Sequence, residues 1–176
     1  MKKLTLESFN ELIELAKLKP RLKSELRFVT STVHMSDEDW SETELLAISD
    51  RSGNKGILII STDNKTTYVL PCEFKKGITS STTGRAQAII CDFCATWQSG
   101  SRAGSILFTK VKQSSANIGY LCCGDLACSK HVRSKTSASR TSRAQLREDM
   151  DTTQRIARLK KKLHIILDDL QVVPIS

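Results

Sequence analysis

Two stretches, Cys91-Asp92-Phe93-Cys94 and Gly119-Tyr120-Leu121-Cys122-Cys123-Gly124-Asp125-Leu126-Ala127-Cys128-Ser129, decide how this chain folds. With Cys123 and Cys128 as the second pair, the pattern is C-x2-C, twenty-eight residues, then C-x4-C. That spacing suits two ligand pairs drawn together by an intervening hairpin around one tetrahedral zinc ion. A C-x2-C at a tight turn lets two sulfurs share one metal. A second pair placed where a strand passes into a helix has the helix N-terminus to stabilise thiolate charge. Zinc bound in this way supplies folding free energy.

Cys122 competes with Cys123 for the third position, and on a strand the two neighbours point to opposite sides. A thioredoxin-like redox C-x2-C would need a strand–helix setting and no partner pair. An iron–sulfur centre uses the same ligands, and spacing alone does not separate it from zinc. Structural zinc is the preferred reading. Cys72 reads as a small buried apolar residue. His131, three residues after Cys128, reads as a surface residue on a short helix, and His34 and His164 have no evident partners.

At 176 residues with 39% apolar content, the chain can build one ordinary domain with a real core. No apolar run reaches the length of a membrane span. Glu7 and Glu11 break any signal-peptide core behind the basic start. The expectation is a cytoplasmic monomer with no membrane partner, where clustered cysteines favour metal over disulfide chemistry. Charge is unevenly placed: residues 1–83 are neutral, and residues 84–176 carry the whole net +8. Zinc with four thiolates would leave that half near about +6. Such a surface attracts anions, RNA and acidic proteins without choosing among them.

Residues 4–18 read as an amphipathic helix, with Leu6, Phe9, Ile13 and Ala16 at helical spacing and Leu12, Leu15 and Leu18 widening the face. Pro20 ends it. Leu22, Leu26 and Phe28 could add a turn or two, and Ser36 before Asp37-Glu38-Asp39 looks like a helix start. Trp40 is expected to pack there. Glu44–Asp50, Gly56–Ser61 and Thr66–Pro71 read as an antiparallel meander separated by the turn signals of residues 50–54 and 62–65. Lys75–Gly84 reads as a loop. Arg85–Ile90, Ser105–Val111 and Ile118–Cys122 read as strands of the cysteine module, with a helix starting near Gly124. A long helix is predicted after a Ser/Thr/Arg loop, with Ser142 as cap and Gln145 as its capping-box partner. Its seam is Ile156, Leu159, Leu163, Ile166 and Leu170, read as docking on the protein's own sheet.

The fold class predicted is thus α+β: an antiparallel sheet with an N-terminal helix and a long C-terminal helix, carrying a treble-clef zinc finger. Residues 1–83 hold the first helix and meander, 84–135 the zinc module, and 136–176 the basic loop and last helix. An enzyme is not expected. Four cysteines close a zinc shell, and no G-x4-G-K-[ST], G-x-S-x-G, H-E-x2-H or deaminase pattern is present.

The run from Gly119 to Ser129, preceded by Cys91-Asp92-Phe93-Cys94, resembles the C-terminal treble-clef zinc-finger domain of elongation factor G-binding proteins, the FusB-type fusidic acid resistance proteins and their relatives. That family's second motif is C-x-D-L-x-C-S followed by basic residues. Cys123, Asp125, Leu126, Cys128 and Ser129 match it, with Arg133 and Lys135 continuing the basic run. The resemblance selects Cys123 over Cys122, so the ligands it implies are Cys91, Cys94, Cys123 and Cys128 for one structural zinc. It implies binding to elongation factor G, and in the resistance proteins release of that factor from ribosomes on which fusidic acid has trapped it. Those proteins carry a helical bundle before the zinc domain, whereas about one long helix is predicted before the strands here. Lys110, Lys112, Asn117, Lys130 and Arg133 flank the ligand pairs and are the candidate contacts; their bland reading is a solvated face. The alternative is direct binding to ribosomal RNA. The charge favours that, but Phe93, Trp97, Phe108 and Tyr120 are too scattered for a stacking platform.

Overall fold

The structure, a computed structural model of the chain, describes residues 1–16, 18–63, 66–80, 82–109, 116–137 and 149–175. Two compact units divide it. One comprises Met1–Phe74, Leu107–Ile118 and Leu170–Ser176, the other Lys75–Ile106 and Gly119–Asp169.

Four short helices precede the strands: α1 (Leu6–Leu15), α2 (Pro20–Glu25), α3 (Phe28–Thr32) and α4 (Asp37–Ser41). The helix read over residues 4–18 ends at Leu15, and the start read at Ser36 is that of α4. The turns read at Leu22, Leu26 and Phe28 fall in α2, at its C-terminal cap and in α3, so more than about one long helix precedes the strands. Thr5 opens α1 through a reciprocal box in which the Ser8 N–H donates to the Thr5 hydroxyl at 3.2 Å and the Thr5 N–H to the Ser8 hydroxyl at 2.8 Å. Pro20 separates α1 from α2, and sits at the first position of α2, where its missing N–H costs nothing. Ser36 caps α4 in a box with Asp39, and three acids stand in that first turn.

The apolar face of α1 is narrower than its sequence suggests. Phe9 and Ile13 are buried, but Leu6 is 52% and Leu15 59% exposed. A helix packed along one side buries one stripe, so Leu15 on its flank stays wet, while Leu6, on the stripe itself, is the first residue of the helix. Phe9 stacks on Phe28 with centroids 4.3 Å apart. Around them Leu18, Trp40, Leu46, Ile48, Ile57, Ile59 and Val69 form one core, so Trp40 packs as expected.

The strands are β1 (Leu45–Ser49), β2 (Lys55–Ser61), β3 (Thr67–Lys76), β4 (Ile89–Ile90), β5 (Trp97–Gln98), β6 (Ala103–Thr109) and β7 (Asn117–Cys123). Five of them make an antiparallel sheet in the order β1-β2-β3-β6-β7, and β4 pairs with β5 in a small ribbon. The meander is in register through Ile48↔Ile57 and Leu58↔Leu70. Residues Ile57 to Ile60 are all fully buried, so both faces of β2 are covered and its sequence is continuously apolar rather than alternating.

Among the strands and the short helix after them, three boundaries differ most from the sequence reading. β3 runs through Pro71 to Lys76. Proline's fixed φ is compatible with extended backbone, and it is tolerated where its N–H is not called upon. The strand read as Arg85–Ile90 shrinks to Ile89–Ile90, with an isolated bridge between Thr79 and Ala86. The helix expected near Gly124 begins at Cys128, as α5 (Cys128–Val132).

The last helix, α6 (Thr152–Leu170), buries Leu159, Leu163, Ile166 and Leu170 of the predicted seam, with Leu167 beside them. The predicted cap Ser142 and its partner Gln145 lie outside the described residues. A box forms instead between Asp151 and Gln154: the Gln154 N–H donates to Asp151 Oδ1 at 2.8 Å, and the Asp151 N–H to Gln154 Oε1 at 3.0 Å. Asp151→Ala is expected to cost about 1 kcal/mol of thermal stability, measured by circular dichroism, whereas loss of a cap that matters little would leave the melt unchanged. Among the described residues, no helix is long and apolar enough to cross a membrane.

Candidate metal centre

The second unit is built around four sulfurs. The turn between β4 and β5 carries Cys91 and Cys94, the end of β7 carries Cys123, and Cys128 is the first residue of α5. Knuckle, hairpin and helix in that order are the parts of a treble clef. The first knuckle closes through the Ala95 N–H donating to Cys91 O at 2.9 Å, with Ala95 in the left-handed region at φ 57°. Asp92 ties the knuckle to β7: its Oδ2 accepts the Leu121 N–H at 2.6 Å, and its own N–H donates to Leu121 O at 2.8 Å. The second knuckle turns through Leu126, also left-handed at φ 51°. Asp125 stiffens it by accepting the Ala127 N–H at 3.0 Å.

All four sulfurs are buried and lie within 4.8 Å of one another. Cys91 and Cys128 sulfurs are 3.8 Å apart, those of Cys94 and Cys123 3.5 Å. Zinc–sulfur bonds of about 2.3 Å demand tetrahedral edges of about 3.8 Å, so the donor set fits one zinc ion. None of these cysteines is in a disulfide.

The electrostatics agree. Cys94 is held far below the ordinary thiol range because Cys123, Cys128 and Cys91 all hydrogen-bond to it, against the opposing effect of burial. Cys128 is pushed well above that range by its bonds to Cys123, Cys91 and Cys94 and by burial. Four sulfurs this close resist ionising together, and a cation among them removes the conflict. Bound there, zinc supplies closure of the fold rather than an open coordination position.

Cys122 is buried but outside the cluster, as the alternation of β7 requires, and burial pushes its thiol up. Cys72 is likewise buried, as expected.

His131 is the main correction. It is not a surface residue: its exposure is 0%. Cys128 and His131 are one turn apart on α5 and share a face, a signal the spacing already contained. Its Nδ1 lies 3.1 Å from the Cys123 sulfur, and its Nε2 3.3 Å from Asp125 Oδ2. Burial opposes charge on this ring, but Asp125 and Cys94 outweigh it and raise its pKa to about 9. The Asp125 carboxyl is lowered, with burial opposed by His131 and by the Ala127 N–H. Other supports are Thr96, whose hydroxyl is 2.8 Å from the Cys94 sulfur, and Gln98, which donates to that hydroxyl at 3.1 Å. From α6, Arg158 donates to Cys94 O at 3.1 Å across sixty-four positions of sequence, which no local pattern announces.

The candidate contacts fare unevenly. Lys110 and Lys112 lie outside the described residues. Asn117 opens β7 and is exposed. Lys130 and Arg133 are half-buried at α5, and Arg133 Nη1 donates to Ser129 O at 2.8 Å, so part of its role is to close that helix.

The model of the FBP C-terminal treble-clef zinc-finger family matches residues 21–170, most of the chain. No curated protein and no solved structure matches.

Proposed function

The chain belongs to the FBP C-terminal treble-clef zinc-finger family, and from that membership we propose that it binds elongation factor G and modulates translation by promoting the factor's release from the ribosome. The observation that carries this reading is the closed, buried four-sulfur cluster, which fixes a hairpin and a short basic helix without offering a reacting position. A site of that kind presents a surface; it does not turn over a substrate. Lys130 on α5 and Arg133 at its C-terminal cap would supply positive charge at the contact, with Asn117, Lys110 and Lys112 as further contacts, and Asp and Glu side chains of the factor would answer them.

The test is binding of the full chain to purified elongation factor G, with zinc content measured on the same sample. A complex at low salt that weakens only modestly at higher salt is the expected result. No complex at low salt with zinc-replete protein would sink the proposal. Titration with ribosomal RNA addresses the alternative. An RNA site contacting six to ten phosphates would lose roughly 10³–10⁵ in affinity between 50 and 200 mM salt.

A further inference from the structure

The four sulfurs do not stand alone. We propose that His131, held by Asp125, is a positioning residue of the zinc centre: its Nδ1–H donates to the Cys123 thiolate, and slow zinc release depends on that bond. The inference rests on the zinc assignment and not on any partner.

The geometry is one continuous chain of contacts. Asp125 is anchored by the Ala127 N–H at 3.0 Å, its Oδ2 faces His131 Nε2 at 3.3 Å, and His131 Nδ1 faces the Cys123 sulfur at 3.1 Å. Asp125 Oδ2 stands in ion-pair contact with Nε2, without hydrogen-bond geometry, and Nδ1 is the ring nitrogen within hydrogen-bond reach of sulfur, so Nδ1 is the atom placed to donate to Cys123. Four thiolates around a dication leave net negative charge in a buried site, where charge without compensation is costly. A charge-assisted bond onto sulfur spreads that charge. Thr96 stands in the same relation to the Cys94 sulfur at 2.8 Å, so two of the four ligands have a polar side chain against them. The usual arrangement, in which histidine binds the metal and a carboxylate orients it, is shifted outward by one bond: the carboxylate orients a histidine that addresses a ligand. A ring that merely filled space would need neither Asp125 nor a nitrogen toward sulfur.

The test uses the full zinc-loaded chain and a cobalt(II)-substituted sample. His131→Phe keeps the bulk and removes both nitrogens. It is expected to release zinc to a chromogenic chelator at least about 10-fold faster, within the range for lost outer-shell partners. Its sulfur-to-cobalt charge-transfer band is expected to move to lower energy, because the Cys123 lone pairs lose a donor. Asp125→Asn, which keeps the acceptor for the Ala127 N–H, should shift both readouts in the same direction by less. A folded His131→Phe with wild-type release rate and band position overturns the proposal. Should His131→Phe fail to fold, Asp125→Asn decides: wild-type behaviour overturns it, and faster release with a shifted band supports it. A wild-type chain with no sulfur-to-cobalt band overturns the zinc assignment and this proposal together, a result distinct from unchanged variants.

Discussion

Cys128→Ser is expected to strip the chain of zinc and unfold the treble clef. The Cys128 sulfur is fully buried and 3.8 Å from that of Cys91, and the residue opens α5, so its loss removes a ligand and the link between hairpin and helix at once. A serine hydroxyl does not ionise at neutral pH and is a poor substitute for thiolate. Structural zinc sites of this kind contribute about 10–16 kcal/mol at neutral pH. A whole domain is stable by only about 5–15 kcal/mol. Even a fraction of the metal's contribution is therefore enough to melt the second unit. Metal analysis should fall from one zinc per chain to well below half, with loss of the near-ultraviolet signal and of the cooperative melt. Cys91→Ser should behave alike, because it removes the other end of the same sulfur pair. Cys122→Ser is the control. It should keep zinc and lose only about 1–3 kcal/mol, the cost of a hydroxyl in an apolar setting. Unchanged metal content and melting in both ligand variants would overturn the assignment.

Much of this centre was legible before any coordinates. Ligand spacing is a local property, and two short pairs announce a metal because few other needs place cysteines so. The meander was legible for a similar reason: apolar runs of strand length lay between turn residues, and short connections allow only antiparallel pairing. What escaped depends on position in space. Four thiolates leave no ligand position for His131, which is why the sequence suggests a surface residue, yet its spacing from Cys128 places it on the sulfur-facing side of α5. Arg158 reaches Cys94 O from a distant helix, and only folding brings them together. Leu6 and Leu15 fit the helical period, yet burial is settled by what covers a face and not by the face itself. The start of α6 was read from a box at Ser142, whereas Asp151 and Gln154 offer the same chemistry closer to the seam. Caps recur easily in polar sequence, so element boundaries are less firmly encoded than element cores.

Gly56→Ala is expected to cost about 3 kcal/mol or more, although alanine is otherwise a mild change. Gly56 pairs with Ser49 across β1 and with Cys72 across β3, between two strands in register. A Cβ built on it collides with Ile48 O and comes within 2.8 Å of Ser49 Cα. Both obstacles are backbone, so no side-chain rotation relieves them, and β1 must move off the ladder that buries Ile48 against the unit's core. Gly53, three residues earlier in the same hairpin, supplies the contrast. It sits at φ 72° with nothing within 4 Å of an added Cβ, so alanine there pays only for left-handed backbone, roughly 1–2 kcal/mol. The two variants therefore separate steric from conformational demand within one hairpin. Chemical denaturation followed at Trp40, buried in this unit's core, should rank Gly56→Ala well below Gly53→Ala, which in turn lies below the parent. Equal midpoints for the two variants would show that β1 yields to the added methyl without losing its register. That outcome would contradict the tight β1–β2 pairing, since a strand free to retreat from Gly56 would also release Ile48 and Leu46 from their partners Ile57 and Ile59.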